Sequence, residues 1–264
     1  DEGSGEPVVC VHGNPTWSFQ FRNLVLGLRD RRRTIALDHV GCGLSDKPGD
    51  AAYDYTLGRR VDDLEALLAR LVPEGRLSLV LHDWGGMIGM AWAVRHPGRV
   101  ARIALANTAA FGLPPGKPFP WQLSLARGPL GALFVRGFDA FVRGTCRYCV
   151  ARPMAPAVRA GYHAPYGAWA ERIAVHRFVQ DIPLSPRDRA HAVLAATEAG
   201  LDRFRGTPAM ILWGARDFVF DGPFLAEWVR RWPHAEVHRF PDARHLVVED
   251  EPDEVLRLLA GFLP

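Results

Sequence analysis

Nothing in this chain of 264 residues is apolar for the roughly 18 residues in a row that a membrane-crossing helix needs. No charged-then-apolar signal segment opens it either, so a soluble protein of a reducing, cytoplasmic setting is expected. Cysteine is scarce, at positions 10, 42, 146 and 149 alone. Cys146 and Cys149 form a single C-x-x-C without a second pair or histidines in zinc spacing; it reads as incidental, and no metal or other cofactor is expected. Charge of one sign is lacking too, since 32 basic residues face 29 acidic ones for a net charge of +3. The densest basic run, 29–33, is interrupted by Asp30 and reads as a solvated helix end, which argues against a nucleic-acid surface. Internal repeats and low-complexity tracts are absent. What is present, 48% hydrophobic and 23% charged residues, suits one globular domain with a sizeable core.

Short apolar runs alternate with helical patterns. Strands are expected at 7–11, 34–37, 77–81, 100–106, 209–213 and 236–240, and helices at 19–28, 57–71, 86–96, 224–232 and 253–262. Continuous apolar runs separated by helices indicate parallel strands covered on both faces, because each crossover lays its helix over the sheet. The expected fold is therefore a doubly wound α/β core. The rhythm breaks between 111 and 205, where prolines recur and no strand pattern is visible. We assign 1–110 and 206–264 to the core and 111–205 to an inserted helical cap.

The most informative stretch is 77–86, LSLVLHDWGG, an apolar run ending in Asp83, Trp84 and two glycines. It reads as a nucleophile elbow, in which the nucleophile sits on a sharp strand-to-helix turn and its neighbours two residues away must be small. Gly85 meets that demand; Leu81 does not. A carboxylate at this place is already ionised at neutral pH, so it can attack carbon without a base to deprotonate it. The bland alternative is that Asp83 caps the following helix.

Two further residues fall where a triad needs them. Asp217 follows the 209–213 run in WGARD, and His245 follows the 236–240 run in DARHLV, both beyond the carboxyl ends of parallel strands. The chain order nucleophile, acid, histidine is that of α/β-hydrolases. The loop after the first strand, His12 to Thr16, places backbone amides across from the elbow, where the amides of Asn14 and Trp84 would form an oxyanion hole. The Asn14 side chain and the Trp84 indole are further N–H donors. In the bland reading Asn14 makes a local turn before Pro15 and Trp84 packs in the core.

The motifs HGNPTWSF, DHVGCGLSDKP, LHDWGGMIG, NTAAF, FVQDIPL and WGARDFVFD together resemble the haloalkane dehalogenase branch of the α/β-hydrolase fold. Within it they are most similar to the β-lactone decarboxylases of bacterial long-chain olefin biosynthesis. The resemblance runs over essentially the whole chain. It implies Asp83 as nucleophile, His245 as base, Asp217 as the acid that orients it, and Asn14 with Trp84 as the anion-binding pair. One dehalogenase subgroup carries its acid as glutamate after the preceding strand; Ala106, Asn107 and Thr108 offer none, which favours Asp217. Relatives begin with two strands that this chain lacks, so the first hairpin is expected to be missing and the 34–37 strand to be an exposed edge.

The resemblance leaves two reactions open on the same five residues: decarboxylation of a cis-β-lactone to a cis-alkene, and hydrolytic dehalogenation through an alkyl ester. It also implies a small hydrophobic substrate and assembly with other olefin-pathway enzymes. Epoxide hydrolysis would need a pair of cap tyrosines from among Tyr148, Tyr162 and Tyr166, and Asn14 departs from the loop motif of those enzymes. A non-catalytic scaffold would ordinarily have lost part of the triad. Phe111, Phe119, Trp121, Phe134, Phe138, Phe141, Trp169 and Phe178 either line an apolar tunnel or simply fill the cap's core.

Overall fold

Residues 1–264 are described by a computed structural model. Its apolar runs pair into one parallel sheet of six strands, β1 (Pro7–Val11), β2 (Arg33–Ala36), β3 (Leu77–Asp83), β4 (Val100–Thr108), β5 (Ala209–Gly214) and β6 (Glu236–Phe240), in the order β2-β1-β3-β4-β5-β6. The helices are α1 (Arg22–Leu28), α2 (Leu57–Leu71), α3 (Trp84–Arg95), α4 (Trp121–Arg127), α5 (Ala140–Tyr148), α6 (Pro156–His163), α7 (Ile173–Gln180), α8 (His191–Gly200), α9 (Gly222–Arg231), α10 (Val247–Asp250) and α11 (Pro252–Phe262). No strand lies between Thr108 and Ala209.

Successive strand residues point to opposite faces, and each face here is covered. Val8 and Cys10 of β1 pack with Leu24 and Leu28 of α1 and Val255 and Leu259 of α11. Val9 and Val11 pack into the larger cluster on the other side, with Leu64 and Leu68 of α2, Ile88 of α3 and Trp228 of α9. Helices α5, α6 and α7 share a third cluster built on Val142, Cys146, Tyr162 and Val175. Helix α8 instead packs against α3, and its Leu194 belongs to the main core.

Several boundaries differ from the sequence expectation. The 19–28 helix opens as a 3-10 turn at Ser18–Phe21, and regular α1 starts only at Arg22, whose guanidinium donates to the Phe19 carbonyl and lies over the Phe19 ring. Strand β3 runs on to Asp83 and α3 begins at Trp84, because the ladder continues as His82 pairs with Ala106 and Asp83 with Thr108 of β4. Strand β2 forms the sheet's edge, and its outer side carries one antiparallel bridge in which Glu2 and Thr34 exchange both backbone hydrogen bonds. The four cysteines are buried free thiols.

Glycines let the strand turn so sharply into α3. A Cβ on Gly85 would overlap the carbonyl oxygen of Val11 on the neighbouring strand, and one on Gly86 the Thr108 hydroxyl. Leu81, too large for the small-residue rule, fits because Gly89, about one turn along α3 from Gly85, leaves room for its methyl groups. Gly85→Ala drives a methyl into backbone that the sheet holds in place, so it should destabilise the protein by about 3 kcal/mol, the upper end of the usual cost of overpacking. The midpoint of urea unfolding measures this; an unchanged midpoint would mean the turn has slack that the packing does not suggest.

Candidate active site

Asp83 has φ 52 and ψ −125, a conformation that L-residues rarely adopt. It stands at the helix N-cap position, yet its side chain caps nothing. Instead its Oδ1 accepts the backbone amide of Asn14 at 2.6 Å, an approach made possible because Gly13 has no Cβ to overlap the carboxylate. The backbone carbonyl of Asp83 accepts from the Thr108 hydroxyl, which ties the elbow to the end of β4. The second carboxylate oxygen, Oδ2, lies 3.6 Å from Nε2 of His245. The two oxygens therefore differ: one is fixed by an amide and the other faces the histidine.

On the far side of the ring, His245 Nδ1 and Asp217 Oδ2 are 2.8 Å apart. Asp217 in turn accepts from the amide of Val219 at 2.7 Å and from Asn107 Nδ2 at 3.0 Å. Asn107 also accepts the Gly214 amide and donates to the Gly214 carbonyl, so a single side chain links the ends of β4 and β5 to the acid. His82 Nε2 lies 2.9 Å from the His245 carbonyl, and Phe220 stacks on the His245 ring. Neither His82 nor Asn107 was singled out by sequence. Their signal is visible in retrospect as polar residues near the ends of two otherwise apolar buried strands.

Electrostatics follow from burial. Desolvation pushes the Asp83 carboxyl above its ordinary value, although the charge of His245 and the amides of Asn14 and Trp84 pull the other way. For His245 burial opposes the charged form, but the charge and hydrogen bond of Asp217, with the charge of Asp83, outweigh it and the net shift is upward. Burial thus works against the Asp83 carboxylate, while the neighbouring acids favour the protonated form of His245.

Asp83, Asn14, Trp84 and His245 share one apolar cavity of about 720 Å3, a normal size for a small-molecule site. Asn14 spends one Nδ2 hydrogen on the carbonyl of Val175 in α7, at 3.0 Å, and keeps the second. The Trp84 indole packs beside Phe178, and the guanidinium of the fully buried Arg60 lies over the Phe178 ring. Of the eight cap aromatics, Phe111, Phe119, Trp121, Phe134 and Phe141 line the cavity. Phe138 and Trp169 face solvent, and Phe178 is buried behind Trp84. Of the three tyrosines only Tyr148 reaches the cavity; the Tyr162 hydroxyl donates to Glu249 and Tyr166 is buried elsewhere, so no tyrosine pair faces Asp83.

Comparison with known proteins agrees with this fold. Residues 6–252 match the family model of the alpha/beta hydrolase fold, and the chain belongs to that family as an α/β-hydrolase-fold enzyme. It is 51% identical over 265 residues to a cis-3-alkyl-4-alkyloxetan-2-one decarboxylase of Shewanella oneidensis, covering 100% of this chain and 83% of that protein. A protein of the same name from Xanthomonas campestris is 50% identical, with 100% and 90% covered. More distant is a haloalkane dehalogenase of Sphingobium indicum, 30% identical over 100% of this chain and 90% of its own. Among solved structures, the haloalkane dehalogenase DatA of Agrobacterium tumefaciens superposes with a TM-score of 0.87 at 26% identity, covering 99% of this chain and 90% of that one.

The upward shift of Asp83 has a stability consequence. A carboxyl whose folded-state pKa exceeds its unfolded one destabilises the fold as pH rises through that window, and the cost is complete above the folded value. Asp83→Asn should therefore abolish activity yet raise the melting temperature at pH ~7, with the gain disappearing below the ordinary aspartate pKa of about 3.9. Differential scanning calorimetry at both pH values checks it; a lower melting temperature at neutral pH would show that the site stabilises the ionised carboxylate.

Proposed function

We propose that this chain is a cis-β-lactone decarboxylase that converts an oxetan-2-one with two alkyl arms into a cis-alkene and carbon dioxide. One observation carries the reading: in a chain half identical to proteins of that name, Asp83 Oδ2 opens, beside a histidine and two N–H donors, into an apolar cavity. Residues 1–110 and 206–264 form the hydrolase core in this reading, and 111–205 the cap, whose α4 and α5 contribute much of the cavity wall. The enzyme would work in the cytoplasm, on a small hydrophobic substrate, in assembly with the other enzymes of olefin biosynthesis.

The roles follow from the distances. Oδ2 of Asp83 attacks the ring carbon that bears oxygen, that C–O bond breaks, and the ring oxygen leaves as part of a carboxylate. The free Nδ2 hydrogen of Asn14 and the indole N–H of Trp84 hold this anion as it forms. The electron pair of the bond to the carboxylate carbon then becomes the C=C bond while the ester bond to Asp83 breaks, releasing carbon dioxide and restoring the aspartate. Inversion at the attacked carbon followed by loss of the two anti groups returns a cis-alkene. Neither step consumes water or a net proton. His245, favoured in its charged form, stabilises Asp83 as it departs, Asp217 orients His245, and the amide of Asn14 holds the nonattacking oxygen.

Haloalkane hydrolysis is the second reading, supported by the 30% identical dehalogenase. There Asp83 displaces halide, and a neutral His245 activates water against the resulting ester.

Gas chromatography of products from purified protein given a synthetic cis-β-lactone, with halide release from bromobutane and dibromoethane measured in parallel, separates the two. A cis-alkene without halide release is expected; halide release without alkene would replace the proposal by the hydrolytic one. Because His245 assists the departure of Asp83 from the ester, His245→Gln should slow turnover at that step and accumulate the ester on Asp83. Intact-protein mass spectrometry reads this out as an added mass equal to the whole lactone, and slowed turnover without an adduct would place the role of His245 in the first attack instead.

A further inference from the structure

The face of α5 toward the cavity carries Ala140, Phe141, Gly144, Thr145 and Tyr148, spaced as one helical stripe that continues to Cys149. Arg143 and Arg147 lie outside that stripe and are exposed. The C-terminal end of α5 abuts the catalytic loop, since the Cys149 carbonyl accepts the amide of Leu246, next to His245. At about 1.5 Å per residue, Gly144 lies roughly 7 Å and Ala140 roughly 13 Å along the helix from that end.

Gly144 is the middle residue of a nine-residue helix, where glycine is a poor helix former. The backbone does not require it, because it is not among the residues of positive φ and a Cβ built there meets no atom within 4 Å. Gly161 of α6 differs, since a Cβ there would overlap the Phe19 ring. The space before Gly144 belongs to the cavity, between the flanking turns of Ala140 and Tyr148.

We propose that Gly144 is a specificity-determining position: its missing side chain keeps open a channel along α5 for one long alkyl arm of the substrate. The inference rests on the lactone reading for the identity of the ligand and on the stripe for its path. A large side chain at Gly144 blocks arms that extend past it and spares arms that end before it.

The test compares wild type, Gly144→Ala, Gly144→Leu and Gly144→Phe on cis-β-lactones with short and with long arms. Gly144→Phe is expected to lower kcat/KM for the long-armed lactone by about tenfold or more, mainly through KM, with the short-armed one within about twofold of wild type. Gly144→Leu should give the same pattern to a smaller degree and stands in if the phenylalanine variant does not fold. Gly144→Ala should raise the melting temperature and keep the long-arm preference. An equal effect on both lactones, or none, overturns the proposal. Fluorescence titration with an octadecyl-chain polyene acid gives an independent reading, with weaker binding expected in the leucine and phenylalanine variants. If wild type consumes no lactone, the proposed reaction falls while this titration still decides whether Gly144 gates the channel, and unchanged polyene affinity rejects it.

Discussion

A carboxylate held out of water at the tip of β3 is the constraint on which the rest of the site depends. Moving a charge from water into an apolar interior is costly unless polar partners replace the lost hydration. Asp83 is 7% exposed and Asp217 3%, with His245 between them at 4%. Each group is supported from both sides. The Asn14 amide meets one oxygen of Asp83, and His245 faces the other. Asp217 is met by Asn107, by Val219 and by the imidazole. The left-handed backbone of Asp83, the bare α-carbon of Gly13 and the close passage of Gly85 beneath Val11 are conditions for bringing these partners within bonding distance.

The same constraint explains which parts were legible in the sequence. The alternation of strands and helices was readable because burial on both faces forces continuous apolar runs, as in Leu77–Asp83, where every residue is buried. HDWGG was readable because a carboxylate at the end of such a run, one residue before two glycines, is costly without a purpose. Asp217 and His245 were readable from their places after strands, and the structure brings His245 to Asp83 and Asp217 to His245. Boundaries were less so, because the limit of a strand such as β3 is set by its pairing with β4, a long-range fact. Leu81 looked like a violation of the elbow pattern until Gly89 showed where its bulk goes. Asn107 was read only as the lack of an acid. Its role as a bridge from β4 to Asp217 depends on a register between strands about a hundred residues apart in the chain, which no local pattern encodes.

The cap aromatics show the limit of composition as a guide. Eight candidates divided into five on the cavity wall, two at the surface and one behind Trp84. The last has its own consequence. The Phe178 ring meets both the Trp84 indole and the guanidinium of Arg60, a buried cation with no salt-bridge partner and one nitrogen without a hydrogen bond. A cation over the ring face is attracted by its quadrupole, and this contact replaces part of the hydration that Arg60 has lost. It also holds the ring against which the proposed anion donor rests.

One set of side chains supporting two reactions is less paradoxical than it first looks. Displacement at carbon by Asp83 is common to both, and the reactions part only in how the aspartyl ester is cleared. A haloalkane leaves an ester with no internal means of collapse, so water and a neutral imidazole are required. A β-lactone leaves an ester with a carboxylate on the adjacent carbon, and the electron pair that expels Asp83 comes from the bond to that carboxylate. The protein then has no need to deprotonate water. It needs to hold the carboxylate until its bond aligns with the departing oxygen, and to make that oxygen a good leaving group. An imidazolium flanked by Asp83 and Asp217, favoured by both charges, suits that second task better than it suits general-base catalysis. In the proposed reading the reaction is decided by the protonation of one buried histidine and by which substrate the cavity admits.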